Sequence, residues 1–134
     1  MTTSLVLDTH SAVWYWSRSP RLSAPAASAI RPAKEAGHPL FICSVSIVEL
    51  IYLVEKGRIE ASKLPEFLST LRRPDSDVIV KPFDLDMAEA LSRVPRDIVA
   101  DMPDRMIAAT ALHLKLPLVT VDAQIRASDI ETIW

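Results

Sequence analysis

The segment Asp101–Asp122, DMPDRMIAATALHLKLPLVTVD, reads as one helix with an acid at its entrance, a short turn, and an apolar strand that runs out into a second acid. From Pro103 to about Lys115 it is rich in Ala, Met and Leu, with Pro at the first helical position and no later breaker, which predicts a helix. Leu116-Pro117-Leu118-Val119-Thr120-Val121 is too short and too β-branched for another helix, and fits a strand buried on both faces. Asp122 is thereby placed at the C-terminal end of a strand, the edge of an open α/β sheet where ligands bind.

Working outward, the same grammar recurs. Ser4–Leu7 is an apolar run ending in Asp8, and Thr9-His10-Ser11 opens a helix through Trp14, Tyr15 and Trp16. A second helix is expected from Ser23 to about Ala36, stopped by Gly37. Leu40–Cys43 predicts a second strand, followed by an apolar helix opened by Ser46 and ended at Gly57, with Glu49 its early carboxylate. A helix over Leu64–Arg72, a strand over Val78–Val80 and a helix over Leu85–Val94 lead through a loop, Pro95–Ala100, back to the opening segment. A short helix at Ala123–Ala127 and a strand at Ile130–Trp134 close the chain. Alternation of apolar strands with helices predicts an α/β fold: a three-layer α/β/α sandwich around a mostly parallel sheet of about five strands, with residues 1–134 forming one domain.

Composition narrows the function. With 49% hydrophobic and 24% charged residues the chain has the balance of a folded protein rather than a disordered one. The longest uncharged run, Gly37 to Val48, is short of a membrane span, and MTTSLVLD lacks the features of a signal peptide, so a cytoplasmic protein with no membrane partner is expected. The single cysteine, Cys43, excludes an internal disulfide framework and a cysteine-based zinc site. Only two glycines are present, Gly37 and Gly57, far apart, which excludes glycine-rich nucleotide loops. Net charge is −2, but setting four of the 17 acids aside as one site leaves 13 against 15 basic residues, a surface that permits nucleic acid.

Those four acids are Asp8, Glu49, Asp104 and Asp122. Each has an ordinary explanation: Asp8 and Asp122 as N-caps, Glu49 in a capping box with Ser46, Asp104 on a helix dipole behind a cap at Asp101. Parallel topology changes the balance, because it brings all four to one edge. Two carboxylates about 4 Å apart at an effective dielectric near 20 repel by roughly 4 kcal/mol, more than the roughly 1 kcal/mol a cap contributes. A hard divalent cation, Mg²⁺ or Mn²⁺, resolves this, since it takes oxygen ligands and carries the opposing charge.

Leu7-Asp8-Thr9-His10, Ser46-Ile47-Val48-Glu49, Pro103–Ala111 and Leu118-Val119-Thr120-Val121-Asp122, in this order over the whole chain, resemble the PIN domain, and more narrowly the VapC-type toxins of bacterial toxin–antitoxin pairs. The resemblance implies a Mg²⁺-dependent ribonuclease, usually a homodimer, held inactive by a small VapB-like antitoxin. It gives Asp8, Glu49, Asp104 and Asp122 as catalytic and metal-holding residues, with Asp101 an additional candidate that also suits an N-cap. Where relatives often carry a His-Arg pair, this chain has Val99-Ala100. Thr9 and Thr120, beside the acids, are candidates to bond a carboxylate or to contact substrate. Arg105 is a further candidate for RNA contact. The aromatic run Trp14–Trp16 and the apolar run Ile47–Val54 are candidates for a dimer or antitoxin surface, or for ordinary core. A catalytically silent PIN-like module that binds RNA or protein is the alternative. A phospho-receiver domain fits poorly, because no second acid adjoins Asp8 and no third-strand Asp pairs with a strand-end Lys.

Overall fold

The computed structural model describes residues 2–134; Met1, part of the N-terminal MTTSLVLD reading, lies outside the described residues. Five strands, β1 (Leu5–Leu7), β2 (Leu40–Cys43), β3 (Val78–Lys81), β4 (Leu118–Val119) and β5 (Thr132–Ile133), form one sheet in the order β3-β2-β1-β4-β5, every neighbouring pair parallel. Seven α-helices connect them: α1 (Thr9–Trp16), α2 (Ala24–Glu35), α3 (Ser44–Glu55), α4 (Lys63–Leu71), α5 (Leu85–Ala90), α6 (Met102–Leu114) and α7 (Ala123–Arg126).

Side-chain alternation on the strands divides the core into two layers. Leu5 and Leu7 of β1, Leu40 and Ile42 of β2 and Val119 of β4 pack with Ala12 of α1, Ile30 of α2 and Phe67 of α4. Val6, Cys43 and Leu118 point the other way, onto Ala90 of α5, Ile107, Ala108 and Ala111 of α6, and Ile125 of α7. The inner strands β1, β2 and β4 are therefore covered on both faces, while the edge strands β3 and β5 stay partly exposed, and the α/β/α sandwich expected from the sequence is the fold observed. Helix α3 contributes to both layers, Leu50 to the first and Val45 to the second, which carries it from the α1 side to the α6 side.

Several boundaries move for local reasons. Helix α3 starts at Ser44 rather than Ser46, directly off β2, with Cys43 as an N-cap that makes no side-chain bond. Strand β4 is two residues long rather than six: Pro117 has no N–H for the ladder, and pairing ends after Val119, although Thr120 N still donates to Ile133 O at 3.2 Å. The helix over Leu85–Val94 shortens to α5 and a 3-10 turn at Leu91–Arg93 ahead of Pro95. Gly37 and Gly57 end α2 and α3 at φ 79° and 71°. Two non-glycine residues share that left-handed region, Arg18 after α1 at φ 55° and Lys115 after α6 at φ 57°.

The chain begins in the middle of the sheet, builds outward to β3, then returns to add β4 and β5 on the other side. The reversal falls between β1 and β4. Connections on the two sides diverge there, leaving a crevice beyond the carboxyl ends of the strands.

Candidate metal centre

Asp8 leaves β1 at that crevice. Its backbone N donates to Val119 O at 3.1 Å, joining it to β4. Its carboxylate does two things: Oδ1 caps α1 by accepting from Ser11 N at 2.8 Å, and Oδ2 accepts from Thr120 Oγ1 at 2.5 Å. Asp8 is only 7% exposed, yet two oxygens have about four lone-pair sites, so capping does not use up its capacity.

Glu49 comes from the second turn of α3, and no capping box forms with Ser46, because Ser46 already lies inside the helix. Instead Thr9 Oγ1 donates to Glu49 Oε1 at 2.5 Å and is hydrogen-bonded to the fully buried Ser46 Oγ at 2.9 Å. The two threonines thus hold acids distant in sequence: Thr9, next to Asp8, positions Glu49, while Thr120, two residues before Asp122, positions Asp8. Both are buried, so the expectation that they contact substrate gives way to the other reading, a bond to a site carboxylate. Ser46 is the partner that sequence reading missed; its setting between apolar Val45 and Ile47 was the available signal.

Helix α6 brings the third acid. Asp101 is its N-cap, accepting from Asp104 N at 3.1 Å, and Asp104 lies in the first turn. Asp122 caps α7, accepting from Ile125 N at 2.9 Å, while its own N donates to Thr120 Oγ1 at 3.0 Å. Arg105 turns away from the acids: its Nε and Nη2 donate to the carbonyls of Val94 and Leu91 at 3.0 and 3.1 Å. Those bonds satisfy the end of the 3-10 turn, so the expected RNA contact is replaced by a structural one.

The electrostatics show that the acids share one neighbourhood. Partial burial first, and then the charges of Asp122, Asp101, Glu49 and Asp8, together push the Asp104 carboxyl up to about 7. Glu49 is raised by burial, pulled back by the Thr9 hydrogen bond, raised by Asp101, lowered by His10 and raised by Asp8, with burial the largest effect. Among the described residues, the ion pairs are Lys34–Asp77, Lys63–Glu66 and Arg73–Asp75, none of which neutralises these acids.

The donor set suits a hard divalent cation: all oxygen and net negative, with His10 the nearby positive charge that acts on Glu49. Among the described residues no three Asp, Glu, His or Cys side chains stand close enough to form a ready-made cage.

Thr120 gives a direct test of this geometry. Thr120→Val should cost roughly 1.5–3 kcal/mol in urea unfolding, because it strips a hydrogen bond from a buried carboxylate. Thr120→Ser should recover most of that; equal losses in both would point to packing instead.

A five-stranded, all-parallel sheet covered by helices, its strand order reversing between β1 and β4, defines a three-layer α/β/α protein. The comparisons agree: a family profile described as PIN domain matches residues 5–130. Ribonuclease VapC22 of Mycobacterium tuberculosis is 33% identical over 126 residues, 93% of this chain and 92% of that protein. Among solved structures, VapBC2 from Rickettsia felis, bound to a DNA fragment from its promoter, superposes with a TM-score of 0.71 at 16% identity, covering 97% of both chains. DNA-bound VapBC from Salmonella typhimurium superposes at 0.66 with 19% identity, over 98% of this chain and 97% of that one. The chain belongs to the PIN domain family, as a VapC-type member.

Proposed function

We propose that this protein is a Mg²⁺-dependent endoribonuclease toxin that hydrolyses RNA phosphodiesters, acting as one domain over residues 1–134. The observation that supports the reading is that Asp104 is raised by the charges of Asp122, Asp101, Glu49 and Asp8, acids from several elements, in a chain similar to a protein named a ribonuclease. These four acids would hold the cation, with Mn²⁺ a substitute; Asp101 stays an N-cap whose charge adds to the field. When bound, the metal supplies positive charge to the scissile phosphate and lowers the pKa of a coordinated water. The chain's own part is to keep the carboxylates in register. Thr120 holds Asp8, Thr9 holds Glu49, and the raised Asp104 carboxyl keeps a proton near neutrality until a cation competes for it.

The similar solved structures are toxin–antitoxin complexes, which supports a VapB-like antitoxin as partner. Helix α3 leaves Val48, Ile51 and Tyr52 exposed, and Met102 is 67% exposed at the start of α6. Val48, Tyr52 and Met102 line a groove that Glu49 and Asp101 share, an apolar surface suited to the antitoxin or to a second protomer of a homodimer. Trp16 instead packs edge-on against Phe67 at 5.1 Å as part of the core. Among the described residues no helix is long and apolar enough to cross a membrane.

The test is incubation of antitoxin-free protein with tRNA and rRNA fragments. Cleavage should require Mg²⁺ or Mn²⁺ and stop with EDTA. Metal at about 100 times its Kd should stabilise the fold by roughly 2.7 kcal/mol. Intact RNA throughout, with no thermal shift on adding metal, would leave only the silent binding module.

A further inference from the structure

Helix α1 links the acidic crevice to a second surface that the acids do not use. His10, two residues after Asp8, lines the groove shared by Glu49 and Asp101. Four residues on, the half-buried Trp14 ring lies 5.6 Å from His10 and 5.7 Å from Trp134. Trp14 in turn borders a groove between the end of α1 and α2 that also carries Arg18, Arg31 and Lys34. The one acid lining this groove, Asp77, is occupied: the Tyr15 hydroxyl donates to it and Lys34 Nζ lies 3.5 Å away. Among the described residues, Arg18 and Arg31 have no carboxylate within ion-pair distance. Arg18 also occupies the left-handed position after α1, with Ser19 N donating to Trp14 O at 2.8 Å across the turn. Glycine is the usual residue there, so a side chain is kept where the backbone would do better without one.

From this arrangement we infer that the outer face of α1 is a track for single-stranded RNA. Bases lie against His10 and Trp14, and phosphates are held by Arg18 and Arg31, leading one flank of the substrate into the acidic crevice. From His10 to the end of α1 at Trp16 the helix rises about 9 Å, and Arg18 lies just beyond it, enough to guide the strand beyond the scissile bond. Aromatic rings interleaved with unpaired guanidinium groups are the chemistry that binds single strands without demanding sequence. An acidic protein surface would use the arginines but gain little from the rings. The inference rests on the reading of this chain as an enzyme that cuts RNA.

Binding of labelled oligouridylate, followed by fluorescence anisotropy in EDTA, separates the two claims, because no cleavage is needed. Arg18→Ala/Arg31→Ala should weaken binding about tenfold and reduce the slope of log affinity against log salt by about 1.4, two phosphate contacts on a single strand. Trp14→Leu should weaken it roughly tenfold through lost stacking. Arg18→Gly is the decisive variant: its melting temperature should stay the same or rise while its affinity for oligouridylate falls, the opposite of what a structural role for Arg18 gives. Unchanged affinity and salt slope in the double variant would overturn the track even if the wild type cuts RNA, and would leave the groove to an acidic partner. Track-dependent binding by a wild type that cuts nothing in Mg²⁺ would uphold the track and remove only the nuclease reading. A wild type that neither binds nor cuts would remove both.

Discussion

Asp104→Asn protein, purified free of antitoxin, should cleave RNA at least ~100-fold more slowly than wild type, since even the outer partners of a metal site cost up to that much. It should melt no lower. Asp104 is not the cap of α6; Asp101 is, and the bond from the backbone N of residue 104 to Asp101 survives the substitution. The lost carboxylate takes away its favourable interaction with the helix N-terminus, about 0.3–1 kcal/mol, but also its repulsion with Asp122, Asp101, Glu49 and Asp8.

The same carboxyl sets the pH dependence of the metal-free protein. Its folded pKa of about 7 lies above the unfolded 3.8, so between those values the folded state holds a proton that the unfolded chain has released. Stability therefore falls as pH rises from about 4 to about 7. Thermal denaturation in EDTA should show that decline for wild type and a shallower one for Asp104→Asn. Added Mg²⁺ should offset it in wild type only. A variant that unfolds readily at every pH would return Asp104 to a purely structural role.

Ile107→Ala is expected to have the largest effect on the fold. Ile107 is 1% exposed on α6, one turn beyond Asp104, within the layer formed by Val6, Leu118 and Ile125. Truncation in such packing removes roughly 2–5 kcal/mol, a large part of the 5–15 kcal/mol that holds an ordinary domain together. Chemical denaturation should show the midpoint falling by that equivalent, whereas Ile107→Val should lose only about 0.5–1.5 kcal/mol. Because Ile107 seats the helix that carries Asp104, the alanine variant should also bind Mn²⁺ more weakly at temperatures where it remains folded. Unchanged metal affinity would show that the first turn of α6 is placed by its cap rather than by its core contacts.

Much of this was legible in one dimension, and the reasons are local. Leu5–Leu7 and Leu40–Cys43 are apolar runs that suit a doubly covered sheet, and Val78–Val80 is a shorter one that becomes a partly exposed edge strand, so strands and layers follow from hydrophobic pattern. Gly37 and Gly57 mark helix ends because their positive φ is costly for other residues. The shortening of β4 escaped notice because Leu116–Val121 has strand composition throughout, whereas ladder length depends on what β1 and β5 offer as partners. The bonds of Arg105 are hidden in the sequence for a related reason: adjacency to Asp104 says nothing about which way a long side chain turns, and the carbonyls of Leu91 and Val94 lie within its reach only after the 3-10 turn forms.

By itself the sequence determined an α/β sandwich with acids at helix starts, since burial pattern and helix punctuation act between near neighbours. The tertiary structure decided what those acids are to one another. Thr9 meets Glu49 and Thr120 meets Asp8 across 40 and 112 residues, and Asp104 is raised by acids from other elements only because β1 and β4 become neighbours at the reversal of the sheet. Carboxylates repel and hydroxyls bond at distances of a few ångströms, and only the assembled sheet sets those distances.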